Sequence, residues 1–108
     1  EVQLAPFGIV GLETALAITI TELVEPGLIS IEKAVDLMTR RPAEILGLPA
    51  GALREGGPAD IAVFDPHAEW TVDPAQFASL SRNTPFAGRV LRGVIRATLC
   101  DGRIVHRG

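Results

Sequence analysis

The stretch Pro42-Ala-Glu-Ile-Leu-Gly-Leu-Pro-Ala-Gly-Ala-Leu-Arg-Glu-Gly-Gly-Pro-Ala-Asp-Ile61 marks the point where the chain changes from a helical to a strand-like pattern. Pro42 suits the first position of a short helix, where its missing N–H is not needed, and Gly47 ends that helix. Residues 48–58 are rich in Gly and Pro, which is typical of a loop. Residues 59–65 then have the composition and period of a β-strand. The sequence therefore predicts helices before this stretch and strands after it.

Two further helices are predicted N-terminal to this stretch. An apolar face that extends nearly all round covers residues 11–24, which indicates a helix buried against a larger body. The segment Glu25-Pro-Gly27 ends this helix, because proline cannot continue it. Ser30 suits the N-cap of the second helix, and Arg40 and Arg41 lie at its C-terminal end, where cations suit the helix dipole.

The C-terminal half is predicted to consist of short strands. Pro66 closes the first strand, and Asp73-Pro74 starts a helical turn that continues through Phe77. Asp101-Gly102 is a strong signal for a hairpin turn. The predicted strands are residues 59–65, 69–72, 89–92, 94–100 and 103–106. A few short strands make a poor independent sheet. We therefore expect their partner strands to lie in a part of the chain that precedes residue 1.

Composition limits the classes of partner. The 108 residues suit one domain or part of a larger one, and 47% apolar with 21% charged residues is ordinary globular composition. A net charge of −3 argues against a nucleic-acid partner, and we expect the arginines near the C-terminus to line a solvated sheet face (Arg89, Arg92, Arg96, Arg103, Arg107). The apolar runs are too short to span a membrane, and the first residues do not form a signal peptide. We therefore expect a cytoplasmic location.

The residue types that carry catalysis are sparse. A hydrolytic metal site needs several converging ligands, whereas His67 and His106 stand alone, so both are predicted to be structural. Cys100 is predicted to be a small buried hydrophobe, and Glu13 to interact with a helix N-terminus. We therefore predict neither catalytic residues nor metal ligands within these 108 residues.

A glycine-containing turn precedes the first helix. The N–H groups around Gly8 and Gly11 suit the binding of a carboxylate at a helix N-terminus. Glycine also suits this position simply because it makes the turn. Both interpretations stay open from the residues alone.

Two segments resemble type I dihydroorotases of the amidohydrolase superfamily. They are Ala5-Pro-Phe-Gly-Ile-Val-Gly-Leu-Glu-Thr14 and Ser81-Arg-Asn-Thr-Pro-Phe-Ala-Gly88. Two further segments, residues 38–48 and 51–62, resemble patterns found across the superfamily. The resemblance covers essentially the whole chain and implies that it corresponds to the C-terminal quarter of such an enzyme.

The resemblance implies an α/β fold, part of a (β/α)8 metal-dependent hydrolase barrel with a small β-sandwich subdomain. Residues 1–48 would form the last barrel helices and the substrate loop. Residues 49–108 would form the C-terminal part of the sandwich. The site residues implied are Pro6, Phe7 and Gly8, whose backbone would contact the substrate ring.

The implied activity is the reversible cyclisation of N-carbamoyl-L-aspartate to dihydroorotate in pyrimidine synthesis. Zinc is the implied cofactor, bound by residues upstream of this chain. The implied partners are the substrate, the remainder of the barrel, and either a second copy or aspartate transcarbamoylase.

Two alternatives to an active dihydroorotase stay open. One is a related cyclic-amide hydrolase such as an allantoinase. The other is a non-catalytic dihydroorotase-like subunit that supports aspartate transcarbamoylase. Whichever interpretation holds, we expect the isolated 108 residues to be inactive and poorly stable.

Overall fold

The computed structural model of the chain describes residues 2–108. Helical segments occupy the N-terminal half and a three-stranded antiparallel sheet, in the order β1-β2-β3, occupies the C-terminal half. The change at residues 42–61 is therefore confirmed. The helices are α1 (Ala15–Thr19), a π-helical continuation (Ile20–Val24), α2 (Ile31–Met38) and α3 (Arg40–Leu46). The strands are β1 (Ile61–Thr71), β2 (Val90–Cys100) and β3 (Arg103–Arg107), and short 3-10 turns cover Val2–Leu4 and Pro74–Gln76.

The first helix starts later than its apolar pattern predicts. Thr14 donates from its backbone N–H and its hydroxyl to the Gly11 carbonyl, over 3.2 and 3.3 Å, so residues 11–14 form a turn before α1. At the other end the Glu25 N–H donates to the Ile20 carbonyl over 2.8 Å, which widens the last turn to a π-helix. The predicted end at Glu25-Pro-Gly27 is confirmed, and Gly27 has a φ of 81°.

Helices α2 and α3 are separated by a single residue. The Ser30 hydroxyl accepts from the Lys33 N–H over 3.1 Å, which confirms the predicted N-cap of α2. The predicted start of α3 at Pro42 is wrong, because α3 begins at Arg40 and Pro42 is its third residue. The first turn of a helix has no intrahelical acceptor for its N–H groups, so proline is tolerated there too. The Arg40 guanidinium, 2.5 Å from Asp36 and 2.6 Å from Glu44, joins the two helices.

Strand β1 is continuous where two strands were predicted. Its pairing with β2 shifts register between Asp65 and Glu69, so Pro66 lies in a bulge instead of ending the strand. The Asp65 carboxylate accepts from the N–H groups of His67 and Ala68, over 2.9 and 3.1 Å. This side chain satisfies the backbone donors that leave the ladder, and the strand continues.

Strand β2 is likewise one strand across Gly93, and the predicted hairpin follows it. Asp101 and Gly102 have φ values of 50° and 75°, which is the left-handed pair that a type I′ turn requires. The hairpin between β2 and β3 is therefore confirmed.

The core lies where the first helix crosses β2. Its buried side chains are Ala17, Val72, Phe77 and Leu91. The helix approaches closely because Gly93 has no side chain: a Cβ there would lie 2.8 Å from the Ile20 Cδ1. Another side of the helical segment stays uncovered, since Leu23 in its π-helical continuation is 39% exposed.

The surface of the sheet is largely charged and paired. Arg89 pairs with Glu22, Arg92 lies 3.3 Å from both Glu25 and Glu69, and Arg96 lies 3.5 Å from Asp65 (all exposed pairs). The prediction of a solvated face is confirmed for these arginines, and such exposed pairs contribute little to stability.

Cys100 is exposed, so its predicted burial is wrong; it is the last residue of β2, beyond the packed part of the sheet. Among residues 2–108, no helix has the length and apolarity that crossing a bilayer requires.

Candidate functional site

The loop of residues 5–10 is presented at the surface just before the first helix. Pro6, Phe7 and Gly8, the three predicted site residues, are all exposed, and the Phe7 side chain makes no packed contact. A Cβ added to Gly8 would meet no atom within 4 Å, so the chain leaves open space on that side of the loop. The backbone here is therefore accessible to a ligand.

This loop is held by the second dihydroorotase-like segment. The Val10 N–H donates to the Asn83 carbonyl over 2.9 Å, and the Asn83 side-chain amide donates to the Gly8 carbonyl. Asn83 thus forms hydrogen bonds in both directions with a loop that lies 75 residues earlier in the chain. The structure brings together the two segments that the sequence singled out separately.

Glu13 makes a second attachment, from the first segment to Ala78 and Ser79, which lie just before residues 81–88. Its carboxylate accepts from the Ala78 N–H at 3.1 Å, the Ser79 N–H at 3.0 Å and the Ser79 hydroxyl at 2.8 Å. The backbone N–H of Ser79 is the main cause that holds the pKa of the Glu13 carboxyl below its ordinary value of 4.5. The sequence assigned Glu13 to a helix N-terminus, and this interpretation is wrong, because the carboxylate binds a distant loop.

The segment that receives these contacts is organised by its own side chains. The Arg82 guanidinium donates to the carbonyls of Ser79 and Ser81, and its charge also helps to lower the pKa of Glu13. The Ser81 hydroxyl accepts from the Asn83 N–H over 3.3 Å. The sequence did not predict that Asn83 and Glu13 form these contacts; the only signal was their presence in the two family-like segments.

The polarity of the loop follows from these bonds. The Gly8 carbonyl is engaged by Asn83, whereas the N–H groups of Phe7 and Gly8 have no acceptor among residues 2–108. Pro6 has no N–H at all. The loop therefore offers hydrogen-bond donors, which suit the carbonyl or carboxylate oxygens of a ligand.

The described residues do not fit a zinc site by themselves. Zinc sites in proteins use three or four converging ligands. Within residues 2–108 no three His, Cys, Asp or Glu side chains come together in this way. His67 and His106 are exposed and stand on different strands.

The sequence profile described as the Amidohydrolase family matches residues 10–106. The chain belongs to the amidohydrolase family. It is 52% identical over 105 residues to a dihydroorotase of Pelotomaculum thermopropionicum, a match that covers 97% of this chain and 25% of that protein. A dihydroorotase of Brevibacillus brevis is 52% identical over 103 residues, which is 95% of this chain and 24% of that one. The resemblance to dihydroorotases is therefore confirmed, and the chain spans about a quarter of the length of these relatives.

Solved structures of hydantoinases share this fold. An L-hydantoinase (dihydropyrimidinase) from Arthrobacter aurescens superposes with a TM-score of 0.90 and 35% identity, over 99% of this chain and 24% of that one. A D-hydantoinase from Bacillus sp. AR9 superposes with a TM-score of 0.77 and 30% identity, over 85% and 20%. The arrangement of helices and antiparallel strands is thus one that also occurs in these hydantoinases.

Proposed function

We propose that the whole protein to which this chain belongs is a dihydroorotase. Its reaction would be the reversible cyclisation of N-carbamoyl-L-aspartate to dihydroorotate, in cytoplasmic pyrimidine synthesis. The supporting observation is the loop pair: residues 5–14 and 81–88 both resemble dihydroorotases, and they are joined through Asn83 and Gly8. The identity to dihydroorotases, 52%, also exceeds the 35% identity to the L-hydantoinase.

In this proposal Pro6, Phe7 and Gly8 form the substrate loop. Dihydroorotate carries ring carbonyls and a carboxylate, all of which accept hydrogen bonds. The N–H groups of Phe7 and Gly8 are donors without an acceptor among residues 2–108, and the open side of Gly8 would let a ring approach. The exposed Phe7 ring would then cover the bound substrate.

The remaining parts of the enzyme would come from outside residues 1–108. We propose that residues 1–48 belong to a (β/α)8 barrel and residues 49–108 to its β-sandwich subdomain. Zinc would be held by other residues of the whole protein, where it would supply an activated water and polarise the amide carbonyl. The partners would be the rest of the barrel and either a second copy or aspartate transcarbamoylase.

The test is a comparison of substrates. The whole protein, loaded with zinc, should hydrolyse dihydroorotate with a higher kcat/KM than hydantoin or allantoin. An absence of dihydroorotate turnover beside efficient allantoin turnover would identify an allantoinase instead. An absence of turnover of all three, with binding to aspartate transcarbamoylase, would favour the non-catalytic subunit.

One other candidate is favoured by a specific observation. The superposition on the L-hydantoinase extends over 99% of this chain with a TM-score of 0.90. Because this backbone is compatible with a hydantoinase, hydantoin turnover is the second activity to measure. A higher kcat/KM for hydantoin than for dihydroorotate would establish that alternative.

A further inference from the structure

We propose that Asn83 is a positioning residue, which orients the N–H donors of the substrate loop through the Gly8 carbonyl, and that Glu13 holds Asn83 in place. This inference rests on the proposed function, because it assigns a role in binding dihydroorotate. Neither side chain would touch the substrate. Each acts through the backbone that does.

The first step is the geometry at Gly8. A peptide group is planar, so a hydrogen bond to the Gly8 carbonyl also fixes the Ile9 N–H in the same plane. The Asn83 amide makes that bond, and the Asn83 carbonyl accepts from Val10 one residue further on. Two consecutive peptide groups of the loop are therefore fixed against one residue. The preceding Phe7–Gly8 peptide, which carries the Gly8 N–H, is separated from them only by the two dihedral angles of Gly8.

The second step is that this point of the loop needs an external anchor. Pro6 restricts its own φ and the backbone of the residue before it. Gly8 has no such restriction, because glycine is the most conformationally free residue. No neighbouring atom lies within 4 Å of the position a Cβ would take, so packing within the chain does not restrain Gly8 either. The hydrogen bond from Asn83 thus acts where the loop has the most freedom to rotate.

The third step is the support of Asn83 itself. Glu13 accepts three hydrogen bonds from Ala78 and Ser79, so the chain just before Asn83 is tied to the turn that follows the loop that Asn83 contacts. The two attachments enclose residues 8–13 on one side and residues 78–83 on the other. Because Glu13 is ionised at neutral pH and its pKa is lowered further, this support is present under physiological conditions.

The kinetic test uses the zinc-loaded whole protein with Asn83→Ala and Asn83→Asp. The aspartate keeps the size but has no amide donor, and its charge repels the Gly8 carbonyl. Without the Asn83 amide, the N–H groups of the loop would lose their orientation. Because these N–H groups would contact the substrate and the transition state alike, KM for dihydroorotate should rise roughly tenfold and kcat should stay within about threefold. Gln76→Ala is the matched control, since it also removes an exposed amide, one that makes no hydrogen bond among residues 2–108. Its KM should equal that of the unchanged protein.

A second readout does not depend on turnover. Labelling glycine with ¹³C at the carbonyl and isoleucine with ¹⁵N limits the selected NMR signals of the whole protein to its Gly-Ile peptides. Gly8-Ile9 is the only such pair in residues 1–108, and its signal is identified because Ile9→Val removes it. The Gly8 carbonyl signal should shift in Asn83→Ala and Asn83→Asp, and it should not shift in Gln76→Ala. A smaller shift in the same direction is expected for Glu13→Gln, which weakens the support.

The outcomes separate the two proposals. An active protein whose Asn83 variants keep the normal KM, or whose Gly8 signal does not move, would overturn the positioning role and leave the dihydroorotase assignment intact. A protein without dihydroorotate turnover would overturn the assignment, and the role of Asn83 in binding dihydroorotate with it. In that case a shifted Gly8 signal would still establish the contact between the two segments. A raised KM together with a shifted signal supports both.

Discussion

The Glu13 carboxylate accepts hydrogen bonds from both the backbone N–H and the hydroxyl of Ser79, 66 residues further along the chain. It also accepts from the Ala78 N–H. An exposed carboxylate with three protein donors is a clear case in which ionisation and tertiary structure are coupled. The contact joins the start of the first helix to the segment that precedes β2.

The first prediction concerns the pH dependence of this contact. The pKa of Glu13 is lower in the folded than in the unfolded protein, so the contact stabilises the fold fully above the ordinary value of 4.5. This stabilisation is lost as the pH falls through the lowered pKa of the folded state. Glu13→Gln does not titrate, so the difference in unfolding free energy between the two proteins should shrink on acidification from pH 6. Denaturant titrations of both at several pH values measure this, and a difference that stays constant would contradict it.

The second prediction concerns the close approach of the first helix to β2. Gly93→Ala would place a Cβ 2.8 Å from the Ile20 Cδ1 and 3.4 Å from the Ala17 Cα, and Gly93 has a φ of 107°. Overpacking of this kind costs about 1–3 kcal/mol. Gly27→Ala is the control, because Gly27 also has a positive φ, 81°, but open space around it. Chemical denaturation should show a clearly larger loss for Gly93→Ala; equal losses would mean that backbone strain alone requires glycine there.

The third prediction concerns the open side of the proposed substrate loop. Gly8→Ala meets no atom within 4 Å and requires no positive φ, so the unfolding free energy should change by less than about 1 kcal/mol. If dihydroorotate lies against Gly8, the added methyl should raise its KM. Gly11→Ala is the matched control in the turn that follows the loop, again with open space, and it should leave KM unchanged. Equal effects of both changes would place the substrate elsewhere.

The fourth prediction concerns residues 1–108 in isolation. Leu4, Leu12 and Leu80 are 90%, 90% and 101% exposed, and Phe7 is fully exposed as well. Large exposed apolar side chains favour association. Sedimentation of the isolated chain should therefore show concentration-dependent self-association. A separate activity assay of the isolated chain should show no dihydroorotate turnover. A stable monomer at high concentration would show that these side chains need no cover.

The elements that the sequence predicted well depend on local chemistry. Ser30 caps α2 through the Lys33 N–H three residues away, and Asp101-Gly102 forms its turn from its own backbone angles. Both signals lie within a few residues, so a pattern contains them. The predicted strand end at Pro66 was wrong. The strand continues because the Asp65 carboxylate accepts hydrogen bonds from the backbone of the bulge, and the sequence alone does not show which donors that carboxylate will bind.

The candidate site was only half visible in the sequence. The segments of residues 5–14 and 81–88 stood out by resemblance, and Phe7 and Gly8 could be named from it. The bonds from Asn83 to Gly8 and from Ser79 to Glu13 cross 75 and 66 residues, and no local pattern encodes such distances. The contacts of Asn83 and Glu13 form only when distant parts of the chain are packed together.

The central claim is that the loop around Gly8 contacts the substrate of a dihydroorotase. A crystal structure of the zinc-loaded whole protein with dihydroorotate tests it most directly. We predict that an oxygen of the ligand lies about 2.7–3.2 Å from the backbone nitrogen of Phe7 or Gly8, with the Asn83 amide still on the Gly8 carbonyl. Dihydroorotate bound away from this loop, or absent from the complex at saturating concentration, would contradict the claim.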